Sequence, residues 1–188
     1  MLFFRIRAWG VENVPRSGGV ILAANHQSFL DPPIVGIPLT RQVYYVARSS
    51  LFGGPLRRWW LRAQHALPIE RGAGDIGAIR QAVELLRQGQ GLVLFPEGTR
   101  TPDGSIKQFK PGFALIAARA GVPVVPVAIE GSYRAWPRHQ RVPGWGRIRV
   151  AYGPPVPPPQ GGKAACTAAA QEVQRRVEEL LEGLRQRE

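Results

Sequence analysis

The chain has 188 residues and is 44% hydrophobic, which suits one globular domain spanning residues 1–188 and leaves little room for a second full domain. Its formal net charge of +12 is carried by 22 arginines and 3 lysines, which favours anionic partners such as nucleic acid, an acidic membrane surface or phosphorylated substrates. The single cysteine, Cys166, excludes an intramolecular disulfide framework and a cysteine-rich metal site, and we interpret it as a small residue of an alanine-rich helix.

The first apolar run of the chain, residues 2–4, is too short for the core of a secretory signal. No later stretch reaches the ~20 apolar residues that a membrane-spanning helix needs. We therefore expect a protein of the cytoplasm.

Apolar segments of strand length alternate with helical patterns along the chain. The predicted strands are residues 3–9, 20–24, 43–47, 66–69, 92–95, 122–128 and 148–152. Several are almost continuously apolar, as expected for strands that are covered on both faces. The predicted helices are a segment between an N-cap at Asp75 and Gly89, then residues 109–120, then a C-terminal helix with the apolar stripe Val173, Val177, Leu180, Leu181 and Leu184. This alternation predicts an α/β domain with a mixed, largely parallel sheet flanked by helices.

Residues 25–32 (Asn-His-Gln-Ser-Phe-Leu-Asp-Pro) follow the second predicted strand, so His26 lies where α/β proteins bind ligands. Asp31 precedes two prolines, which fits a helix N-cap followed by proline at the first helical position. A turn between the two could bring the Asp31 carboxylate to one ring nitrogen of His26, which would leave the other nitrogen as a base. The alternative is that Asp31 only caps a helix and His26 is a loop residue.

Residues 95–100 (Phe-Pro-Glu-Gly-Thr-Arg) also follow an apolar strand. Gly98 permits a tight turn with positive φ, and Arg100 can bind a phosphate as a fork that Glu97 could hold in place. Residues 67–72 repeat the order of strand, acid, arginine and glycine, with Arg71 as the arginine. Three strand ends that carry polar groups predict a pocket at one edge of the sheet, although each could also be a surface turn.

Other kinds of active site fit the sequence less well. Ser28 is the nearest candidate for the nucleophile of a hydrolase, but the sequence has no G-x-S-x-G elbow. The three histidines, His26, His65 and His139, include no pair at zinc-ligand spacing, so we expect no metal.

Four ordered blocks of the sequence resemble those of the 1-acyl-sn-glycerol-3-phosphate (lysophosphatidate) acyltransferase family. They are Asn25-His26 with Asp31 five residues after the histidine, Ile69-Glu70-Arg71, residues 95–100 and residues 122–127. Residues 10–15 and 109–112 match as well, so that the resemblance covers about residues 10–152. The hexapeptide at residues 95–100, and its order relative to the first block, are the most specific part.

The resemblance implies a single acyltransferase domain with the glycerolipid acyltransferase-like fold. It would move a fatty acyl group from acyl-CoA or acyl-acyl carrier protein to the sn-2 hydroxyl of 1-acylglycerol-3-phosphate and give phosphatidic acid. His26 would be the general base, oriented by Asp31. The acceptor-phosphate site would comprise Glu97, Gly98, Thr99, Arg100, Arg71 and Lys110. The hydroxyl can attack the thioester directly, so neither a covalent enzyme intermediate nor a bound cofactor is expected.

Two sets of alternatives remain open at the level of sequence. A related acyltransferase with the same motifs could use glycerol-3-phosphate, another lysophospholipid or an ornithine lipid as its acceptor. A basic nucleic-acid-binding module would instead stack bases on the tryptophans Trp59, Trp60, Trp136 and Trp145. That module does not account for the His/Asp and Glu/Arg blocks, so we expect no nucleic-acid partner.

One segment has the composition of a membrane contact. Leu56, Trp59 and Trp60 share a face at helical spacing, and neighbouring arginines lie off that stripe. Tryptophan prefers the headgroup level of a bilayer, and arginine is attracted to anionic lipids. We therefore predict that an anionic membrane surface is a partner and that the protein is peripheral on the inner face of the cell membrane. One alternative is that this stripe packs on the sheet, and another is that Leu2, Phe3 and Phe4 make the membrane contact.

Overall fold

The computed structural model describes residues 4–48, 54, 59, 66–69, 76–137, 139–140, 142 and 144–187. Eight residues named individually in the sequence analysis lie outside this part of the chain: Leu2, Phe3, Leu56, Trp60, His65, Glu70, Arg71 and Asp75.

Seven strands form one sheet within the described part of the chain. They are β1 (Phe4–Trp9), β2 (Val20–Ala24), β3 (Val43–Arg48), β4 (Ala66–Ile69), β5 (Gly91–Leu94), β6 (Val124–Glu130) and β7 (Gly146–Tyr152). Their order across the sheet is β1-β7-β6-β2-β5-β3-β4. The β6–β7 pair is antiparallel and the other neighbouring strands run parallel. The predicted mixed, largely parallel sheet is therefore confirmed.

A short 3-10 turn (Val11–Asn13) and five helices connect these strands in the same part of the chain. The helices are α1 (Asp31–Gly36), α2 (Ile76–Arg87), α3 (Gly112–Ala120), α4 (Ser132–Ala135) and α5 (Lys163–Arg185). Residues from α2, α3 and α5 pack on one face of the sheet, and residues from α1 and α4 pack on the other. All five residues of β2 are completely buried between these two layers, and Cys166 is buried on α5 as a helix residue.

Two predicted boundaries differ from the structure near α3. The helix begins at Gly112 and not at residue 109, because Pro111 disfavours the helical conformation of Lys110 before it. Phe109 instead donates its N–H to Oε1 of Gln174 (2.8 Å) and Lys110 to the carbonyl of Pro96 (3.1 Å). Strand β6 begins at Val124 and not at residue 122, because the N–H of Val122 still bonds to Ala117 in α3 (3.2 Å). In both places the main-chain N–H groups bond to neighbouring segments.

The strand order decides which loops can form a site. β2 lies between β5 and β6, and all three run parallel, so their carboxyl ends meet at one edge of the sheet. The segments that follow them therefore lie side by side. β4 ends the sheet two places beyond β5, and the polar residues that follow it lie outside the described residues.

Candidate active site

His26 and Asp31 are in direct contact at this edge. His26 lies two residues after β2, Asp31 is the first residue of α1, and the distance from His26 Nδ1 to Asp31 Oδ2 is 2.9 Å. The Asp31 side chain is completely buried, whereas the His26 side chain is 18% exposed. The structure thus brings together the two side chains that the sequence paired, with the imidazole between a buried anion and the surface.

The carboxylate of Asp31 does not have the role of an N-cap. The N-cap position is occupied by Leu30, and Asp31 itself lies in the first helical turn. Its Oδ2 accepts the main-chain N–H groups of Gln27 (2.6 Å) and Ser28 (2.7 Å) as well as the contact from His26. The carboxylate thus accepts the N–H groups of the turn after β2 in place of those at the helix N-terminus. These bonds also fix the position of the oxygen that faces the imidazole.

This arrangement determines the tautomer of a neutral His26. An ionised carboxylate only accepts hydrogen bonds, so Nδ1 must carry the hydrogen and Nε2 keeps the lone pair. The imidazole also stacks on the ring of Phe95, the first residue after β5, with centroids 4.1 Å apart and planes at 22°. The stacking on Phe95 therefore fixes the orientation of the ring, and the contact with Asp31 fixes its tautomer.

Glu97 holds the main chain of His26. Its Oε1 accepts the N–H of His26 (2.7 Å), and its Oε2 accepts the N–H of Lys107 (3.1 Å). We expected this carboxylate to hold the guanidinium of Arg100, but Glu97 and Arg100 do not form an ion pair, and both carboxylate oxygens are used by main-chain donors. Glu97 therefore connects the loop after β5 to residues 25–30 between β2 and α1, which we call the histidine loop. Its predicted place in the phosphate site stays a prediction.

The same carboxyl group predicts a pH-dependent stability. Burial raises the pKa of Glu97 to about 7, against the opposing effect of its N–H donors. From about pH 4.5 to pH 7 the folded chain keeps a proton that the unfolded chain releases, so the free energy of unfolding falls as the pH rises. In urea unfolding, the stability of wild type relative to Glu97→Gln should fall by about 3 kcal/mol over this window and stay constant above it.

A matched variant separates this effect from a general change of charge. Glu182 is an exposed acid on α5, and Glu182→Gln should give a stability curve parallel to that of wild type at every pH. Parallel curves for wild type and Glu97→Gln would contradict the raised pKa.

Three polar side chains support the histidine loop in a way that was not identified from the sequence. Asn25 is completely buried and bonds both main-chain groups of Ile129 in β6, donating to its carbonyl (3.0 Å) and accepting its N–H (2.7 Å). Gln27 donates to the carbonyl of Gly104 (3.1 Å), and Ser28 donates through Oγ to the carbonyl of Trp136 (2.8 Å). The sequence pointed to Asn25 as part of the first block and to Ser28 as a possible nucleophile, but it indicated no supporting role for any of the three. The bonded hydroxyl of Ser28 also argues against a nucleophile.

The residues predicted to bind the acceptor phosphate lie around the turn after β5. The guanidinium carbon of Arg100 is 3.4 Å from the centroid of the Phe29 ring, which places Arg100 against the histidine loop. Gly98 has φ of +74°, and a Cβ at this position would lie 3.3 Å from Nζ of Lys110. Thr99 is half-buried beside them. Arg71 lies outside the described residues, so its place in this group stays a prediction.

Of the three residues predicted to contact a membrane, the structure describes Trp59. Trp59 is 67% exposed, whereas Leu56 and Trp60 lie outside the described residues. In the part of the chain that the structure describes, no helix is both long and apolar enough to cross a membrane.

Comparison with known proteins gives consistent matches. Residues 5–130 match the model of the acyltransferase family. The chloroplastic 1-acyl-sn-glycerol-3-phosphate acyltransferase of Arabidopsis thaliana is 31% identical over 166 residues, which is 86% of this chain and 46% of that protein. The lyso-ornithine lipid O-acyltransferase of Pseudomonas aeruginosa is 37% identical over 134 residues, covering 70% of this chain and 48% of its own length.

A solved structure agrees with these matches. The crystal structure of the 1-acyl-sn-glycerophosphate acyltransferase PlsC from Thermotoga maritima superposes with a TM-score of 0.85 at 30% identity, over 100% of this chain and 75% of that one. This chain spans about half the length of the first curated relatives that it matches.

Proposed function

The chain belongs to the acyltransferase family, among the 1-acyl-sn-glycerol-3-phosphate acyltransferases, and on this premise we propose that it moves a fatty acyl group from a thioester to the sn-2 hydroxyl of 1-acylglycerol-3-phosphate. The product is phosphatidic acid, and the donor is acyl-CoA or acyl-acyl carrier protein. The observation that carries the proposal is the 2.9 Å contact between His26 Nδ1 and Asp31 Oδ2, which leaves Nε2 as a base at the surface.

The proposed reaction is a direct transfer. Nε2 of His26 takes the proton of the acceptor hydroxyl while its oxygen bonds to the thioester carbon. The tetrahedral intermediate then collapses, the carbon–sulfur bond breaks, and the proton passes from His26 to the leaving thiolate. Asp31 stabilises the imidazolium that forms between these steps. No side-chain nucleophile takes part.

The acceptor's phosphate has its proposed site at Arg100, because a guanidinium binds two phosphate oxygens in a fork. The packing of Arg100 on Phe29 supports this, since it sets the guanidinium beside the loop that carries the base. The main chain of Gly98, the Nζ of Lys110, Thr99 and Arg71 complete the proposed site. Glu97 contributes indirectly, by holding the loop.

The two substrates meet at a membrane surface, because the acceptor is a lipid and the donor is a water-soluble thioester. We therefore place the protein as a peripheral protein on the cytoplasmic face of the cell membrane. An anionic membrane surface fits the net charge of +12.

A second acceptor is favoured by one specific observation. The lyso-ornithine lipid O-acyltransferase of Pseudomonas aeruginosa is 37% identical over 134 residues. Its name describes the same bond formation, an ester made at a lipid hydroxyl, with an acceptor whose headgroup is an amino acid. A lyso-ornithine lipid is therefore the alternative acceptor for this chain.

An acceptor panel tests the proposal. Purified protein is incubated with acyl-CoA or acyl-acyl carrier protein and with lysophosphatidate, glycerol-3-phosphate or lyso-ornithine lipid, and thiol release and the lipid product are followed together. We expect thiol release and phosphatidic acid in equal amounts with lysophosphatidate. Turnover with lyso-ornithine lipid and not with lysophosphatidate would make lyso-ornithine lipid the acceptor. No turnover with any combination of donor and acceptor would refute the proposed function.

A further inference from the structure

Four arginines face one another across the β1–β7 pair at one margin of the sheet. In the parallel register Arg5 lies opposite Arg147 and Arg7 lies opposite Arg149. Alternate residues of these strands, such as the fully buried Ile148, point into the core on the other face. Like charges directly opposite each other destabilise a sheet. Arg149 has Glu130 of β6 as its partner on the other side, whereas Arg5 and Arg147 lie opposite each other at the end of the pair without an acidic cross-strand partner.

Three of the four arginine side chains make no hydrogen bond or ion pair with the described residues of the chain. Arg149 donates to the carbonyl of Leu184 at the end of α5 (3.1 Å) and is half-buried. Arg5, Arg7 and Arg147 are exposed, and among the residues that the structure describes their side chains make no hydrogen bond or ion pair. Their charges are therefore directed to the solvent or to a partner.

A tryptophan lies beside these charges. Trp145 directly precedes β7, two residues before Arg147, and is 77% exposed. The whole stretch of residues 131–152 contains five arginines and two tryptophans and no acidic residue. Arginine with exposed tryptophan is the composition of a surface that lies at the headgroup level of a bilayer. We call Arg5, Arg7, Trp145 and Arg147 the arginine surface.

The arginine surface lies at the same edge of the sheet as the acyltransfer site. β7 runs antiparallel to β6, and Glu130 at the end of β6 pairs with Arg149, so Arg147 lies beyond the end of β6. Gly131 directly follows Glu130, and its main chain lies close to that of Arg147. A Cβ at Gly131 would be 2.2 Å from the carbonyl oxygen of Arg147. β7 is two strands from β2, roughly 10 Å across the sheet. The arginines therefore lie at the edge of the sheet that carries the histidine loop, on the face of the sheet that α5 covers.

We propose that the arginine surface binds the anionic headgroups of a phospholipid membrane and holds the acyltransfer site against it. The inference rests on the proposed function, because a lipid acceptor must leave the bilayer and a two-chain product must return to it. Charge complementarity and the neighbouring Trp145 select an anionic lipid surface as the partner. The arginine surface is separate from the predicted contact at Trp59.

Vesicle co-sedimentation tests this proposal without depending on catalysis. Wild type is expected to bind vesicles of phosphatidylcholine with phosphatidylglycerol and to bind pure phosphatidylcholine weakly. The triple variant Arg5→Gln/Arg7→Gln/Arg147→Gln should bind the anionic vesicles about 100-fold more weakly, since each surface arginine contributes about fivefold. Trp145→Ala should weaken binding on its own, and circular dichroism and thermal unfolding verify the fold of each variant.

A matched triple variant controls for net charge. Arg80, Arg87 and Arg119 are exposed on α2 and α3, and Arg80→Gln/Arg87→Gln/Arg119→Gln should bind anionic vesicles within about threefold of wild type. Equal losses in the two triple variants would overturn the proposal, because net charge alone would then explain binding. Equal binding of wild type to both vesicle types would overturn it too.

Turnover distinguishes the remaining outcomes. On a short-chain lysophosphatidate that stays monomeric, with acyl-CoA as donor, the arginine-surface variant should keep its kcat/KM, whereas on vesicle-bound acceptor its rate should fall. A loss on the monomeric acceptor would place the arginines in the reaction site, and a loss confined to acyl-acyl carrier protein with vesicle binding intact would identify a carrier-docking surface. Either result would overturn the proposal. If no acceptor turns over, the proposed function fails while the vesicle result still stands.

Discussion

Alanine in place of His26 should lower turnover by about 10²–10⁴-fold and leave the fold intact, because the base that takes the acceptor's proton is removed. The His26 side chain reaches the surface, and the contacts that fix its loop are made by its main chain, to Glu97 and Thr101, so an alanine keeps them. Thiol release from acyl-CoA with lysophosphatidate measures kcat, and circular dichroism with thermal unfolding verifies the fold.

A second substitution tests the orienting role. Asp31→Asn should also lower kcat severely, because an amide can present an N–H to Nδ1 and place the hydrogen on Nε2, the wrong tautomer for a base. It should destabilise the chain as well, since Oδ2 accepts two main-chain N–H groups in a buried site. His139→Ala, at an exposed histidine, is the matched control and should leave kcat unchanged. A folded His26→Ala protein with near-normal turnover would refute the assignment of the base.

Arg100→Ala should raise the KM for lysophosphatidate by about 10–100-fold, because hydrogen bonds to a charged phosphate are worth about 1.5–3 kcal/mol. The KM for the acyl donor should stay within about twofold, since the guanidinium lies against Phe29 in the histidine loop and is proposed to bind the acceptor alone. Arg100→Lys should restore binding only in part, because an ammonium cannot reproduce the fork. Initial rates over a range of each substrate give the two KM values.

An acceptor without phosphate makes this test specific. With monoacylglycerol in place of lysophosphatidate, wild type and Arg100→Ala should react at similar low rates, because the interaction that the variant lacks is absent from both. Arg80→Ala, at an exposed arginine of α2, should behave as wild type with either acceptor. Unchanged acceptor kinetics in Arg100→Ala would mean that the phosphate binds elsewhere, with Lys110 as the next residue to replace.

The sequence predicted the sheet well because its strands are covered on both faces. The five residues of β2 are all apolar and all completely buried, so composition alone marks them as a central strand. The wrong predictions about secondary structure concern the ends of elements. Asp31 is not an N-cap, because its carboxylate bonds to the N–H groups of the turn before the helix. Residue 109 does not begin α3, because Pro111 disfavours a helical conformation at Lys110.

The reacting groups of the candidate site could be predicted from the sequence, whereas the hydrogen bonds that hold the histidine loop could not. His26 and Asp31 are five residues apart, so a turn can be inferred from sequence, and their contact lies within that turn. Asn25 and Ile129 are 104 residues apart, and His26 and Glu97 are 71 apart. Contacts at such separations follow from the order of strands β6, β2 and β5, which no periodicity in the chain encodes.

The supports of the histidine loop come from the middle of the sheet, through Ile129 at β6 and Glu97 after β5, and not from its margins. The machinery for proton transfer is therefore mechanically separate from the outer strands β1 and β4. Mutations can accumulate at those margins, and change which lipid or surface is recognised, without displacing the base. Selectivity in such a scaffold is free to diverge during evolution while the chemistry stays the same, so two enzymes of this architecture can share a reaction and differ in the headgroup that they accept.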